Sequence, residues 1–155
     1  MNKSRRIFLK AVSLTLAYCS IGYSLFKSIP VFAARNNKAF SAESQYDALA
    51  DFFPGENITP SDHVKIDAHD LIENGAVVPI NIKTDLPDVT SITILVEKNP
   101  NPLIASFNLG PGSRAFIATR IKMATSSNVT AVVRSGNGLF SQVKFIEVVA
   151  GGCGS

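Results

Sequence analysis

The sequence predicts an all-β protein with one short helix ahead of the strands, and three observations carry that prediction. From residue 64 onward apolar residues recur at period two, in runs rich in Val, Ile, Thr and Phe. Turn signals separate the runs at regular intervals: Asn74-Gly75, Leu86-Pro87-Asp88, Asn99-Pro100-Asn101-Pro102, Gly110-Pro111-Gly112 and Gly136-Asn137-Gly138. One earlier stretch alone has helical spacing. About seven short strands in a domain of this length point to a two-sheet antiparallel β-sandwich of immunoglobulin type, with a small antiparallel barrel as the alternative.

The first 33 residues read as an export signal. Ser4-Arg5-Arg6-Ile7-Phe8-Leu9-Lys10 is a twin-arginine motif, which directs folded proteins across a bacterial inner membrane. Ala11 to Phe26 is mostly apolar and uncharged, but short for a span of about 20 residues. Val31-Phe32-Ala33 suits a signal peptidase, which places the cut after Ala33, with Ala34 as the alternative. Cleavage is favoured over an amino-terminal membrane anchor. A lipoprotein cut before Cys19 is disfavoured, because bulky Tyr18 occupies a position that requires a small residue. The expected location is therefore the periplasm, with membrane contact only during export.

The leader distorts the charge. The whole chain has 15 Lys+Arg against 12 Asp+Glu, a formal +3. Lys3, Arg5, Arg6, Lys10 and Lys27 fall before the cut together with no acid, so the remainder is close to −2. The apparent basicity belongs to the signal, and no basic stripe with aromatics follows it, so nucleic-acid binding is disfavoured and not expected.

Residues 34–60 form an amino-terminal segment. Arg35 to Phe40 is polar and expected to be loose. Glu43 to Phe53 carries Tyr46, Leu49, Ala50 and Phe53 at helical spacing, with Ser41 the expected N-cap and Pro54-Gly55 the stop. The amphipathic helix is read as packing on the main body, the alternative being a helix that docks a partner. Residues 61–150 form the sandwich, with strands at Val64–Ala68, Ala76–Lys83, Ser91–Glu97, Leu103–Leu109, Ala115–Ala124, Val129–Ser135 and Leu139–Val149. Ser135-Gly136-Asn137-Gly138 fits a tight hairpin joining the last two.

Catalytic signatures are missing from this domain. It has no nucleotide loop, no helical His-Glu pair, no Cys-x-x-Cys, no haem-attachment motif and no Gly-x-Ser-x-Gly elbow. His63 and His69, with Asp62, Asp67 and Asp70, have a spacing that could suggest a metal, but solvated residues flanking a strand explain them better. Neither a metal site nor a cofactor is expected, and the scattered carboxylates suggest no acid–base pair.

The chemistry concentrates in residues 151–155, Gly151-Gly152-Cys153-Gly154-Ser155. With Cys19 inside the leader, Cys153 is the sole thiol of the exported chain, and an odd cysteine there implies an intermolecular bond or a free reactive thiol. Glycines on either side offer no core contact, so burial as a small hydrophobe is a poor reading. They suit a mobile arm that enters a narrow channel, with Gly151 to Ser155 reaching roughly 17 Å when extended. The arm is not built to activate its own thiol. An unperturbed cysteine is about 3 % thiolate at pH 7. Its neighbours in sequence, the terminal carboxylate and Glu147, are negative and oppose further ionisation. Activation is expected inside a partner's site.

Four motifs in order carry a family resemblance: Ile72-Glu73-Asn74-Gly75-Ala76-Val77-Val78-Pro79, then Asn99-Pro100-Asn101-Pro102-Leu103, then Thr119-Arg120-Ile121-Lys122-Met123-Ala124, and the terminal Gly-Gly-Cys-Gly. The chain resembles SoxY, the sulfur-carrier family of the Sox thiosulfate-oxidation system, over essentially all of the sequence after the leader. The resemblance implies an immunoglobulin-like sandwich paired with a second small β-sandwich subunit, SoxZ. It places the covalently loaded sulfur on Cys153. A haem-containing SoxAX-type oxidase would couple thiosulfate there, and a SoxB-type hydrolase would release sulfate. In some organisms a SoxCD-type molybdenum-haem dehydrogenase would oxidise the remaining sulfur. The carrier itself would be no enzyme and hold no cofactor. The family usually ends Gly-Gly-Cys-Gly-Gly, whereas Ser155 stands last here, which bears on how each partner channel accepts the arm. A rival from another class is a secreted structural or redox module that uses Cys153 for an intermolecular disulfide. A ubiquitin-like thiocarboxylate carrier is rejected, since it needs Gly-Gly at the very end.

Overall fold

The computed structural model describes residues 36–149. The leader, residues 1–33, and the arm with Gly151, Gly152, Cys153, Gly154 and Ser155 lie outside the described residues. Two helices, α1 (Asn37–Ser41) and α2 (Gln45–Phe52), precede nine strands. These are β1 (Ile58–Pro60), β2 (Val64–Asp67), β3 (Leu71–Ile72), β4 (Val78–Thr84) and β5 (Ser91–Val96), followed by β6 (Leu103–Asn108), β7 (Phe116–Ile121), β8 (Ser127–Ser135) and β9 (Gly138–Val148).

All seven strands read from periodicity are present, with ends shifted by at most a few residues. They form two separate sheets, so the architecture is a sandwich and the barrel alternative falls. One sheet has the order β2-β4-β7; the other runs β1-β9-β8-β5-β6, with β3 also on β9. Chain crossings between the sheets after β4, β6 and β7 are the Greek-key connections of an immunoglobulin-like sandwich. Between the sheets, Val64, Val78, Ile80, Ile82 and Ile121 meet Ile92, Ile94, Val96, Val129, Ala131, Val133 and Ile146. Each of these valines and isoleucines contributes about 1.5–3 kcal/mol by leaving water, which makes this layer the main source of stability.

The helices cover the outer face of the larger sheet. Ala39, Ala48 and Phe53 close over Leu95, Leu103, Val132 and Leu139 in a second apolar cluster. Strand β5 is thereby enclosed on both faces, and all six of its residues are buried. Its one mid-strand polar side chain, Thr93, is satisfied by Ser106 Oγ at 2.9 Å.

Three details differ from the sequence expectation. Asn37–Ser41 forms a helical turn, although the stretch up to Phe40 is expected from sequence to be loose. Asn36 caps it by accepting from Ala39 N at 3.2 Å, and Lys38 pairs with Asp51 at 2.6 Å. So short a helix cannot stand alone and depends on the packing of Ala39. The N-cap of α2 is Ser44 rather than Ser41; its Oγ accepts from Asp47 N at 3.0 Å, while Ser41 is spent as the last residue of α1. The buried stripe of α2 is also rotated by one position. Gln45, Ala48, Leu49 and Phe52 face the sheet, whereas Tyr46 is 81 % exposed and Ala50 is exposed.

Strands β1 and β3 were not read from the sequence. Both pair in parallel with β9, Ile58 opposite Leu139 and Leu71 opposite Glu147. At three and two residues they are too short for any periodicity, yet they cover both ends of an edge that would otherwise be open. The expected hairpin is present, with Ser135 opposite Gly138, and Gly138 adopts φ +125°, which only glycine accepts readily.

Candidate functional site at the exit of the last strand

Ladder register decides which loops share an end of the sandwich. Val78 stands opposite Ile121, Val96 opposite Val129 and Ser127 opposite Ile146. The loops before β4, after β5 and after β7 therefore gather where β9 ends and the chain runs on toward Cys153. Three of the four sequence motifs occupy those loops.

Side chains and backbone lock the loops together. Asn99 Nδ2 donates to Lys122 O at 2.8 Å, and Asn99 Oδ1 accepts from Ala124 N at 2.9 Å, so one amide satisfies two backbone groups of the neighbouring loop. Met123 N donates to Gly75 O at 2.8 Å. A Cβ on Gly75 would lie 2.5 Å from Met123 O and 3.0 Å from Val148 Cγ1, which explains why no side chain stands there. Asn74 Oδ1 accepts from Ala76 N at 2.9 Å and sets the turn that brings Gly75 in.

The end of β9 is held on both edges. Ser126 Oγ accepts from Val148 N at 2.9 Å and donates to Val148 O at 3.3 Å. On the other edge Val149 N donates to Ile72 O at 2.9 Å, and Glu147 N donates to Asp70 O at 2.8 Å. Nearby, Lys144 Nζ donates to Ala68 O at 2.6 Å and pairs with Asp70 at 2.8 Å. The hydrogen bond and charge of Lys144 hold the Asp70 carboxyl below its ordinary range. Lys144, the nearest basic residue to Cys153 in sequence, is thus already committed to a carboxylate.

Beside this anchored strand end lies a shallow groove of ≈ 360 Å³, lined by Gly75, Ala76, Asn99, Asn101, Lys122 and Ala124 among others. The Lys122 side chain makes no ion pair among the described residues, so it is the cation free to face an anionic group here. Sequence reading assigned no role to Lys122, Ser126 or the Asn99 bracket. Ser126 sits in a run of small polar residues with no distinguishing mark, whereas Asn99 could be suspected from its Pro-flanked turn.

The histidines go elsewhere. His63 Nδ1 pairs with Asp85 Oδ1 at 2.8 Å, holding that carboxyl below its ordinary range, while Asp67 lies 3.5 Å from Asn81 Nδ2. Among the described residues no three His, Cys, Asp or Glu side chains gather around a point that could hold a metal ion.

Comparisons with known proteins bear on this arrangement. The family model described as "Sulfur oxidation protein SoxY" matches residues 49–153, ending on Cys153. The solved sulfur carrier protein SoxY from Chlorobium limicola f thiosulfatophilum is 36% identical, with a TM-score of 0.63 over 72% of this chain and 96% of that one. A superoxide reductase (neelaredoxin) from Ignicoccus hospitalis superposes with a TM-score of 0.54 over 59% of this chain and 95% of that one; at 14% identity it shares the fold alone. No curated protein sequence matches. A family match across the sandwich and its loop cluster, with a SoxY structure agreeing over nearly its whole length, leads to one conclusion: the chain belongs to the SoxY family, the carrier proteins of sulfur oxidation.

Proposed function

We propose that this chain is a periplasmic carrier that holds thiosulfate-derived groups covalently on Cys153 and presents them to partner enzymes. The observation that carries the reading is the family match running through the loop cluster and ending on Cys153. The bracing of Val148 and Val149 supports it, because it fixes the point from which the last residues depart. Gly151, Gly152, Gly154 and Ser155 serve as the arm, whose small side chains let the backbone approach a channel wall.

The chemistry balances with outside partners only. Coupling joins the Cys153 thiol to the sulfane sulfur of thiosulfate, forms an S–S bond, and releases one proton and two electrons. A SoxAX-type haem oxidase takes the electrons. Water then attacks the terminal sulfone group in a SoxB-type hydrolase, releasing sulfate and leaving a persulfide on the carrier. A SoxCD-type dehydrogenase, where it exists, oxidises that remaining sulfur. The carrier contributes position and a leaving sulfur, so it is a substrate-bearing subunit rather than an enzyme. A SoxZ-type subunit completes the heterodimer, and the twin-arginine motif exports the folded pair.

Incubation with thiosulfate and the partner enzymes, followed by intact-mass measurement, tests the proposal. Thiosulfate-derived additions on the parent and none on Cys153→Ser are expected. Equal additions on the serine variant would overturn it.

A further inference from the structure

A second feature lies at the other end of the smaller sheet. There a cavity of ≈ 470 Å³ is lined by His63, Lys65, Lys83, Asp85, Arg114 and Phe116, among others. Lys65 stands directly opposite Lys83 in the β2–β4 ladder, and Lys83 opposite Phe116 in the β4–β7 ladder, so the three form one row on the exposed face. The Arg114 guanidinium lies over the Phe116 ring, 5.9 Å from its centre. Neither lysine reaches a carboxylate within ion-pair distance among the described residues. Asp85, the carboxylate in the lining, is taken by His63 at 2.8 Å.

The row is unfavourable for the sheet itself. Like charges directly opposite each other across an antiparallel pair are destabilising, and both lysines are exposed, so packing does not require them. An anion laid across the row would reverse the sign of that interaction. Its size follows from the geometry. Adjacent strands are about 4.8 Å apart, so the row from Lys65 to Phe116 spans roughly 10 Å, and a ligand that pairs with Lys65 and also covers the apolar Phe116 ring must be longer than one tetrahedral ion. An extended peptide places every second side chain about 6.6 Å along one face, which sets neighbouring carboxylates at a spacing that can meet both lysines and Arg114.

We infer that the Lys65–Lys83–Phe116 row with Arg114 docks an acidic segment of a partner protein, two or three carboxylates long, with an apolar side chain against Phe116. The cavity lies at the Thr84 end of β4, while Val78, at the other end, adjoins the exit of β9. Six residue steps of strand separate the two by about 20 Å, so a partner held here leaves the exit of β9 clear. The inference is independent of what Cys153 carries.

The test titrates a capped pentapeptide of Asp and Glu with one central leucine into the full chain, with backbone amide NMR as the readout. Saturable shifts at Lys65, Lys83 and Phe116 are expected, weakening severalfold between about 20 and 200 mM NaCl. The double variant Lys65→Gln/Lys83→Gln should lose about tenfold in affinity while its melting temperature holds or rises. Arg114→Gln, on the loop outside the ladder, should weaken the peptide as well. The inference is overturned if both variants bind as the parent does. It is equally overturned if a peptide with lysine in place of each acid binds as well, or if sodium sulfate saturates these residues in preference to the peptide.

Discussion

Replacing Gly75 with alanine tests the loop cluster at the point where it touches the end of β9. The added methyl would sit 2.5 Å from Met123 O, a backbone atom, and 3.0 Å from Val148 Cγ1. A carbon–oxygen contact relaxes near 3.3 Å, so the two loops must separate by nearly 1 Å, an overpacking that typically costs 1–3 kcal/mol. The same separation stretches the 2.8 Å bond from Met123 N to Gly75 O, adding up to about 1 kcal/mol. A total near 2–3 kcal/mol should lower the melting temperature by roughly 8–12 °C for a domain of this size. Circular dichroism melts of parent and variant measure it. Gly110→Ala is the matched control, because the nearest atom to its Cβ position is Ser113 Oγ at 3.7 Å, an ordinary contact. A Gly75→Ala melt indistinguishable from that control would refute the close approach.

Other consequences are smaller but separable. Asn99→Ala removes the bonds to Lys122 O and Ala124 N and should cost about 1–2 kcal/mol in urea unfolding, with Asn99→Asp recovering part by retaining the acceptor; a neutral alanine variant would deny the bracket any role. Ser126→Ala should speed amide exchange at Val148 by roughly tenfold while the inner strands stay protected, and unchanged exchange at Val148 would contradict that anchor. Asp70, Asp85 and Glu56 are held below their ordinary carboxyl range by Lys144, His63 and Arg134, respectively. Depressed carboxyls stabilise the fold above their unfolded pKa, and that contribution disappears as pH falls through the folded values. Acid should therefore destabilise the parent more than Asp70→Asn, and added salt should shrink the difference because the Asp70 carboxylate is exposed; parallel pH profiles would rule the linkage out.

Legibility from sequence tracked how each residue's role is encoded. The seven longer strands announce themselves through alternation, and turn residues such as Asn74-Gly75 mark their ends. Strand β5 carries the continuous run Ile94-Leu95-Val96 because both its faces are covered, a fact that only the docked helices explain. Helix α1 and strands β1 and β3 were illegible because each is stabilised by what it packs on or pairs with, not by its own pattern. The rotated face of α2 has a similar cause: Gln45 reads as solvent-facing, yet its Nε2 lies 3.4 Å from Thr130 Oγ1 on the sheet. At the site, Cys153 stands out by chemistry alone. The supporting residues do not, since Ser126 and Lys122 acquire meaning only when ladder register brings four distant segments to one end.

The central claim is that Cys153 carries sulfur, and the most direct measurement is the mass of its peptide from native protein. Chain isolated without reductant from cells oxidising thiosulfate would be digested, and the carboxyl-terminal peptide analysed intact. Sulfur or thiosulfate-derived additions on Cys153, removable by a thiol reductant, are the expected result. A peptide found only as a disulfide with a second cysteine, without any sulfur addition, would contradict the account and favour a cross-linking role.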